Sequence, residues 1–110
     1  MFELREYVNS SGRNLFREWF DALDAVPAAR VTVALARIAQ GNWSNVKGVG
    51  QSVLEFRIDV GPGYRVYFGR ESDRIVILLG GGTRKRQHQD ITAAQEAWRE
   101  YKRRSQQRWH

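Results

Sequence analysis

A chain of 110 residues with a net charge of +6 suffices for one domain and is too short for two of ordinary size. Its 42% hydrophobic and 27% charged residues predict a folded chain with a core and exclude a disordered one. The lack of cysteine excludes disulfides and thiolate metal sites, and neither Met1–Val8 nor the longest apolar run, Ile75–Leu79, fits a secretory signal or a membrane span.

The first half of the chain predicts one strand followed by two helices. Phe2–Val8 alternates apolar and polar residues, which is typical of a strand. Arg13–Leu23 places aromatic and leucine side chains at helical spacing. Pro27 suits the first turn of a second helix, which we expect to end at Gly41-Asn42. The short link between these helices predicts an antiparallel helical hairpin.

The second half predicts three strands and a final helix. We place the strands at Val53–Val60, Tyr64–Gly69 and Arg74–Leu79, after a loop at Trp43–Ser52. Gly80-Gly81-Gly82 is expected to end the last strand. A basic helix over about 91–108 follows, with Asp90 or Thr92 as its cap and His110 in a disordered end.

The order β-α-α-β-β-β-α predicts an α+β fold. We expect a mostly antiparallel four-stranded sheet with the helices, including the helical hairpin, on one face. The other face would then be open to solvent. The whole of residues 1–110 is expected to be a single domain, soluble and cytoplasmic.

The positive charge lies entirely in the second half. Residues 1–55 have six Lys and Arg against six Asp and Glu, whereas residues 56–110 have twelve against six. Ten of those twelve are arginines, which bind phosphate through planar, bidentate contacts. The distribution is compatible with a polyanionic partner and equally with a solvated basic surface.

One face of the first hairpin is a candidate site. If the Gly61-Pro62-Gly63 turn pairs residues whose numbers add up to about 124, Arg57 lies opposite Tyr67 and Asp59 opposite Arg65. A slip of two residues would not change the faces. Arg57, Arg65 and Tyr67 would then share the solvent face, where they suit a phosphate and a stacked base. The alternative is an ordinary Asp59–Arg65 surface ion pair, which contributes roughly 0–1 kcal/mol.

Other cations lie near this hairpin in sequence. Arg84, Lys85 and Arg86 follow the glycines, and Lys47 lies in the loop before the hairpin. The glycines are not followed by the Gly-Lys-Ser/Thr of a phosphate-binding loop. Each of these cations can equally be a solvated loop residue. His88 has no partner in sequence, and we predict no metal or cofactor site.

The same residues carry a family pattern over roughly residues 3–101. Its most specific block is Gly-Pro-Gly-Tyr-Arg-Val-Tyr at 61–67. The pattern also includes Phe16–Leu23, Gly41-Asn42, Lys47, Gly50, Val53–Asp59, Ile77-Leu78-Leu79, Gly81-Gly82, Gln87 and Asp90-Ile91. The chain resembles the HigB-like addiction module killer branch of the RelE/ParE toxin superfamily.

This resemblance implies a RelE-like fold and the toxin of a type II toxin–antitoxin system that cleaves mRNA on the ribosome. It implies a helix-turn-helix antitoxin as partner, with operator DNA bound only through that antitoxin. By analogy Arg57, Arg65 and Arg84 supply positive charge to the reacting phosphate. Tyr67 stacks or hydrogen-bonds, and Lys47 or Lys85 exchanges a proton. The expected RNA-binding residues are Lys85, Arg86, Gln87, Lys102, Arg103 and Arg104.

The departures from the family pattern leave alternatives open. The family commonly places Asp or Thr and then Lys after the paired glycines, whereas here Arg84 follows Thr83, and an arginine cannot act as a base. Glu55 is the other candidate base. The tail Lys102–Arg108 is also more basic than the family pattern. A non-enzymatic inhibitor of DNA gyrase and a plain RNA-binding module are the alternative functions, because this superfamily shows that fold does not decide function.

Overall fold

The computed structural model describes residues 1–107, so Arg108 and His110 of the predicted C-terminal segment lie outside the described residues. The strands are β1 (Glu3–Glu6), β2 (Val46–Gly48), β3 (Leu54–Ile58), β4 (Tyr64–Arg70) and β5 (Ile75–Thr83). The helices are α1 (Leu15–Asp21), α2 (Ala25–Ala39) and α3 (Gln87–Gln107), with a 3-10 turn at Arg84–Arg86. None of these helices is long and apolar enough to cross a bilayer.

The described residues form a five-stranded sheet in the order β1-β5-β4-β3-β2. Only β1 and β5 run parallel, and the other neighbours are antiparallel. The α+β class and the mostly antiparallel sheet are therefore confirmed, but the prediction of four strands was wrong. The fifth strand, β2, lies in the predicted loop Trp43–Ser52 and pairs with β3. Its three residues are too few to show alternation, so backbone pairing alone defines it.

The hairpin of β3 and β4 has a register two residues away from the predicted one. Arg57 lies opposite Arg65 and Glu55 opposite Tyr67, whereas Asp59 lies beyond the end of β3. The predicted Arg57–Tyr67 and Asp59–Arg65 pairs were wrong, although the residues keep their predicted faces. The cause is a longer connection, in which the Gly63 N–H donates to the carbonyl of Val60.

Strand β5 continues through the three glycines that were predicted to end it. Gly80, Gly81 and Gly82 pair with β4 residues 67, 66 and 65, after a bulge between Tyr67 and Phe68. A Cβ at Gly81 would lie 2.1 Å from a ring carbon of Trp19. The glycines therefore do not end the strand here. They let neighbouring side chains approach the strand closely.

The helical hairpin packs on one face of the sheet, as predicted. Phe16 of α1 and Val31 and Ile38 of α2 are fully buried there against the apolar residues of the strands. The strand residues of this core are Phe56, Ile58, Val66, Phe68, Val76 and Leu78. Neither of the buried charged residues within 1–107 belongs to this face, so hydrophobic burial dominates its stabilisation.

The opposite face is covered by α3, so the prediction that the helices share one face was wrong. Ala94, Ala97 and Trp98 of α3 pack there on a second core that includes Ile77 and Leu79. The helix begins at Gln87, earlier than the predicted 91. The capping prediction for Asp90 and Thr92 was also wrong: both lie inside the helix, and the Thr92 hydroxyl donates to the carbonyl of His88 at 3.2 Å.

Candidate anion-binding site

The fully buried carboxylate of Glu55 organises the polar part of the α3 face. Its Oε1 accepts a hydrogen bond from Arg57 Nε at 3.1 Å, and its Oε2 accepts one from Gln87 Nε2 at 3.0 Å. Arg65 Nε lies 3.7 Å from the same Oε2. Register places Arg57 and Arg65 side by side, and Gln87 reaches them from the first turn of α3. One carboxylate thus faces two guanidiniums.

A third guanidinium, that of Arg84, approaches from the end of β5. Arg84 Nε lies 3.8 Å, and Arg65 Nη1 3.1 Å, from the point that a Cβ of Gly63 would occupy. The Arg84 N–H donates to the Gly63 carbonyl at 3.2 Å. We call Arg57, Arg65 and Arg84 the arginine cluster. With Glu55 as its counterion the cluster has an excess of positive charge, which favours an anion.

Arg65 is the least expected member of the cluster. Its side chain is only 4% exposed, and its Nε and Nη1 have no hydrogen-bond partner within residues 1–107. A buried charged donor without partners costs free energy unless another group satisfies it. Apart from the 3.7 Å ion pair with Glu55, this guanidinium therefore has donors left that an anion at this position can accept.

Solvent reaches the cluster through its other two members. The Arg57 side chain is 39% exposed, and Arg84 is exposed in the 3-10 turn. An anion that contacted Arg57 or Arg84 would lie close to the buried charge of Arg65. Because that charge lies in a poorly hydrated environment, its attraction for the anion is stronger than in bulk water.

The prediction that Arg65 and Tyr67 face solvent was wrong. Both are buried beneath α3, although they do share one sheet face with Arg57. The cause is the second core, since the sequence argument assigned helices to one face only. Tyr67 consequently cannot stack on a nucleobase in this conformation.

The Tyr67 hydroxyl lies beside the Glu55 carboxylate but has no hydrogen bond of good geometry within the described part of the chain. Burial raises the pKa of Tyr67 well above its ordinary value, and the negative charge of Glu55 raises it further. The phenol is therefore neutral at physiological pH. It can donate a hydrogen bond but is a poor proton acceptor.

The remaining predicted residues near the cluster are mostly exposed. Lys47 lies on β2 directly across from Glu55. Lys85 and Arg86 are exposed in the 3-10 turn, and Arg86 Nε donates to Gln89 at 3.2 Å. Gln87 is committed to Glu55, so its role is to position that carboxylate. His88 is exposed, and among the described residues no hydrogen bond or ion pair joins its imidazole to the arginine cluster.

The structure does not bring Lys102, Arg103 and Arg104 to the cluster. They lie about 15 residues along α3 from Gln87, which corresponds to roughly 22 Å. Arg104 Nη1 donates to the carbonyl of Val8 at 3.0 Å and so ties the end of α3 to the segment after β1. These three cations belong to a separate basic surface.

Comparison with known proteins gives a relative without a described activity. No protein-family model matches the chain. It is 38% identical, over 80 residues, to an uncharacterized protein of Haemophilus influenzae, covering 72% of this chain and 81% of the relative. The chain belongs to the same family as that Haemophilus protein. The match establishes that the two proteins are homologous, and the relative's name states neither an activity nor a partner.

Two residues of the site have structural roles that the sequence did not predict. Glu55 was considered only as a base, whereas in the structure it is the buried counterion of the cluster. Asp90 was predicted as a helix cap and as part of the family pattern, whereas in the structure its Oδ2 packs 1.9 Å from the point that a Cβ of Gly82 would occupy. The three consecutive glycines were the available signal for such a close approach.

Proposed function

We propose that this chain is the toxin of a type II toxin–antitoxin system and that it inhibits translation by cleaving mRNA on the ribosome. The observation that carries the proposal is the buried, unsatisfied guanidinium of Arg65 between two solvent-accessible arginines. A site of this kind suits the phosphodiester of a nucleic acid. The resemblance to RelE/ParE toxins supports RNA as the source of that phosphate.

The proposed reaction is attack of a ribose 2′-hydroxyl on the adjacent 3′-phosphate. Arg57 and Arg84 contact the phosphate, and Arg65 adds its charge from beneath them. Their role is to stabilise the negative charge that accumulates on the phosphorane. Glu55 fixes the orientation of Arg57 and Arg65 and, being fully buried, does not contact the substrate.

The exposed cations near the cluster extend the contact to neighbouring nucleotides. Lys47, Lys85 and Arg86 are placed to neutralise flanking phosphates. Lys102 and Arg103, on the separate surface, contribute sequence-independent affinity for ribosomal or messenger RNA. A helix-turn-helix antitoxin in the cytoplasm would neutralise the toxin, and operator DNA would be bound only through that partner.

Arg57→Gln tests the proposal, because it removes an exposed charge of the cluster and keeps much of the side-chain volume. Induction of the wild-type chain is expected to arrest growth and to create new 5′ ends within translated messages, detected by primer extension. Arg57→Gln should lose both effects at equal protein level.

Arg74→Gln is the matched control, because Arg74 is exposed and its guanidinium forms no ion pair among residues 1–107. It should behave as wild type. Growth arrest with unchanged message ends would refute the ribonuclease, and a simultaneous supercoiling defect would indicate gyrase instead.

A further inference from the structure

Asp90 differs from Glu55, the buried carboxylate on the α3 face. It lies in the first turns of α3, half-buried, with its carboxylate packed against the backbone of Gly82. Among the described residues it accepts no hydrogen bond and forms no ion pair within 4 Å. Glu55, in contrast, is held by Arg57 and Gln87. Of the two carboxylates, Asp90 is the one that is free to react.

A groove of about 410 Å³ gives access to Asp90. It forms because β1 pairs only with Ile75–Leu78, so the rest of β5 has no strand on that side. The groove lies between α1 and α3 along the three glycines, with Trp19 on one wall and Asp90 on the other. Trp19 and Asp90 occupy the space over Gly81 and Gly82, whereas no atom lies within 4 Å of the Cβ position of Gly80, so the floor of the groove is open there.

Asp90 also borders the arginine cluster. Its neighbour Gly82 lies directly opposite Arg65 in the sheet. The charge of Asp90 is close enough to Tyr67 to raise the pKa of that phenol. The arginine cluster and Asp90 therefore flank the same short stretch of β5.

The charges around Asp90 come from three elements. Arg86 approaches from the 3-10 turn, Glu18 of α1 and Arg13 just before that helix line the groove, and Tyr67 and Arg65 belong to β4. Arg13 is paired with Glu18 at 2.7 Å, so this pair contributes little net charge.

Burial dominates the titration of Asp90. It raises the pKa of the carboxyl above its ordinary value, and the positive charge of Arg86 only partly opposes this. A carboxylate with a raised pKa is a better proton acceptor near neutral pH.

We propose that Asp90 is the general base of the RNA cleavage, an inference that rests on the proposed function. The Asp90 carboxylate accepts the proton of the 2′-hydroxyl while the 2′-oxygen forms a bond to phosphorus. The bond from phosphorus to the 5′-oxygen breaks, and the leaving oxygen keeps the electron pair and takes a proton from water. The products are a 2′,3′-cyclic phosphate and a 5′-hydroxyl, and Asp90 returns its proton to solvent.

Asp90→Asn tests this role, because the amide fits beside Gly82 but cannot accept the proton. We expect the single-turnover cleavage of a message on programmed ribosomes to slow by about 10²–10⁴-fold, with binding of the toxin to those ribosomes unchanged. Glu96→Gln, an exposed carboxylate on the same helix, should cleave at the wild-type rate. Cleavage by Asp90→Asn within about threefold of wild type would overturn the assignment and leave the proposed function standing.

The pH profile of the wild-type chain needs no variant. The rate should fall on the acid side with an apparent pKa above the ordinary value of an aspartate, which is about 3.9. Carbon-detected NMR of the free protein should give the same pKa for the Asp90 carboxyl. A rate independent of pH between about 4 and 7 would overturn the proposal, whereas absence of any cleavage by the wild type would refute the proposed function itself.

Discussion

The two faces of the sheet differ in the polarity of the side chains that they bury. The face under α1 and α2 has a buried core of apolar side chains only, such as Phe16, Val31 and Phe68. The face under α3 has an apolar part around Trp98 and, towards the start of the helix, the buried charges of Glu55 and Arg65. The first face shows that this chain can build a core without charges. The charges on the second face therefore call for a reason other than stability.

The energetics of buried ion pairs also indicate that these charges serve a purpose other than stability. Burying an ion pair costs desolvation free energy that the mutual attraction does not reliably offset, so an apolar replacement is often neutral or stabilising. The contact between Arg65 Nε and Glu55 Oε2 is 3.7 Å, too long for a strong hydrogen bond. The α3 face thus carries a polar arrangement that binding of an anion explains better than folding does.

The largest effect on stability is expected from Glu55→Gln. This change leaves the buried charge of Arg65 without its counterion, so the free energy of unfolding should fall by about 3–5 kcal/mol. Urea denaturation measures it. Glu96→Gln, with an exposed side chain, should change it by less than about 0.5 kcal/mol. A loss below 1 kcal/mol in Glu55→Gln would mean that solvent screens Arg65 in the folded state.

A second, smaller effect is expected from Gly81→Ala. The added methyl group would meet the Trp19 ring at 2.1 Å on the α1 side, and overpacking of this kind costs about 1–3 kcal/mol. Gly80→Ala is the matched control, because no atom lies within 4 Å of its new Cβ. Equal thermal stabilities of the two variants would show that the close approach of Trp19 to β5 is wrong.

An alkaline titration should reveal the raised pKa of Tyr67. Its pKa in the folded state is raised above the value of about 10 expected in the unfolded chain. The contribution of the protonated phenol to the free energy of unfolding is therefore complete below pH 10. It is lost as the pH rises towards the folded pKa, by up to about 1.4 kcal/mol per pH unit. Tyr67→Phe should remove this part of the slope in urea titrations above pH 10. Identical slopes would place the phenol in contact with water.

The smallest effect is expected from Lys102→Gln combined with Arg103→Gln. Both side chains are exposed and lie on the separate basic surface. The salt dependence of RNA binding should decrease by an amount equivalent to about two phosphate contacts. The rate of cleavage at saturating toxin should not change. A loss of cleavage at saturation would move the reactive site towards the end of α3.

Alternation in the sequence predicted one face of the sheet well. Phe56 and Ile58 on β3 and Val66 and Phe68 on β4 all point to the helical hairpin, as expected. The same alternation misassigned the other face, because Glu55, Arg65 and Tyr67 have the polarity of a solvent-exposed row. The alternation of polar residues in a sequence cannot distinguish a solvated face from a buried charge network.

One signal for the second core was present. The run Ile75–Leu79 is apolar at both parities, which is typical of a strand buried on both faces. In the structure Val76 and Leu78 belong to one core and Ile77 and Leu79 to the other. The run predicts that β5 lies inside the sheet, but by itself it does not identify α3 as the element that covers the second face.

The site depended on contacts that no local pattern encodes. Gln87 reaches Glu55 across 32 residues, and Arg84 meets Arg65 only because the extra length of β5 carries the chain past Gly63. The glycine run predicted the end of the strand, because glycine is a poor strand former in isolation. Its use here, to admit Trp19 and Asp90, follows from tertiary packing.

The most direct test separates stability from activity on the α3 face, with Glu55→Leu combined with Arg65→Met. We expect the free energy of unfolding of this double variant to lie within about 1 kcal/mol of the wild-type value, or above it, because buried ion pairs tolerate apolar replacement. We also expect that induction of the variant creates no new message ends. A variant that folds equally well and still cleaves mRNA at the wild-type rate would contradict the account.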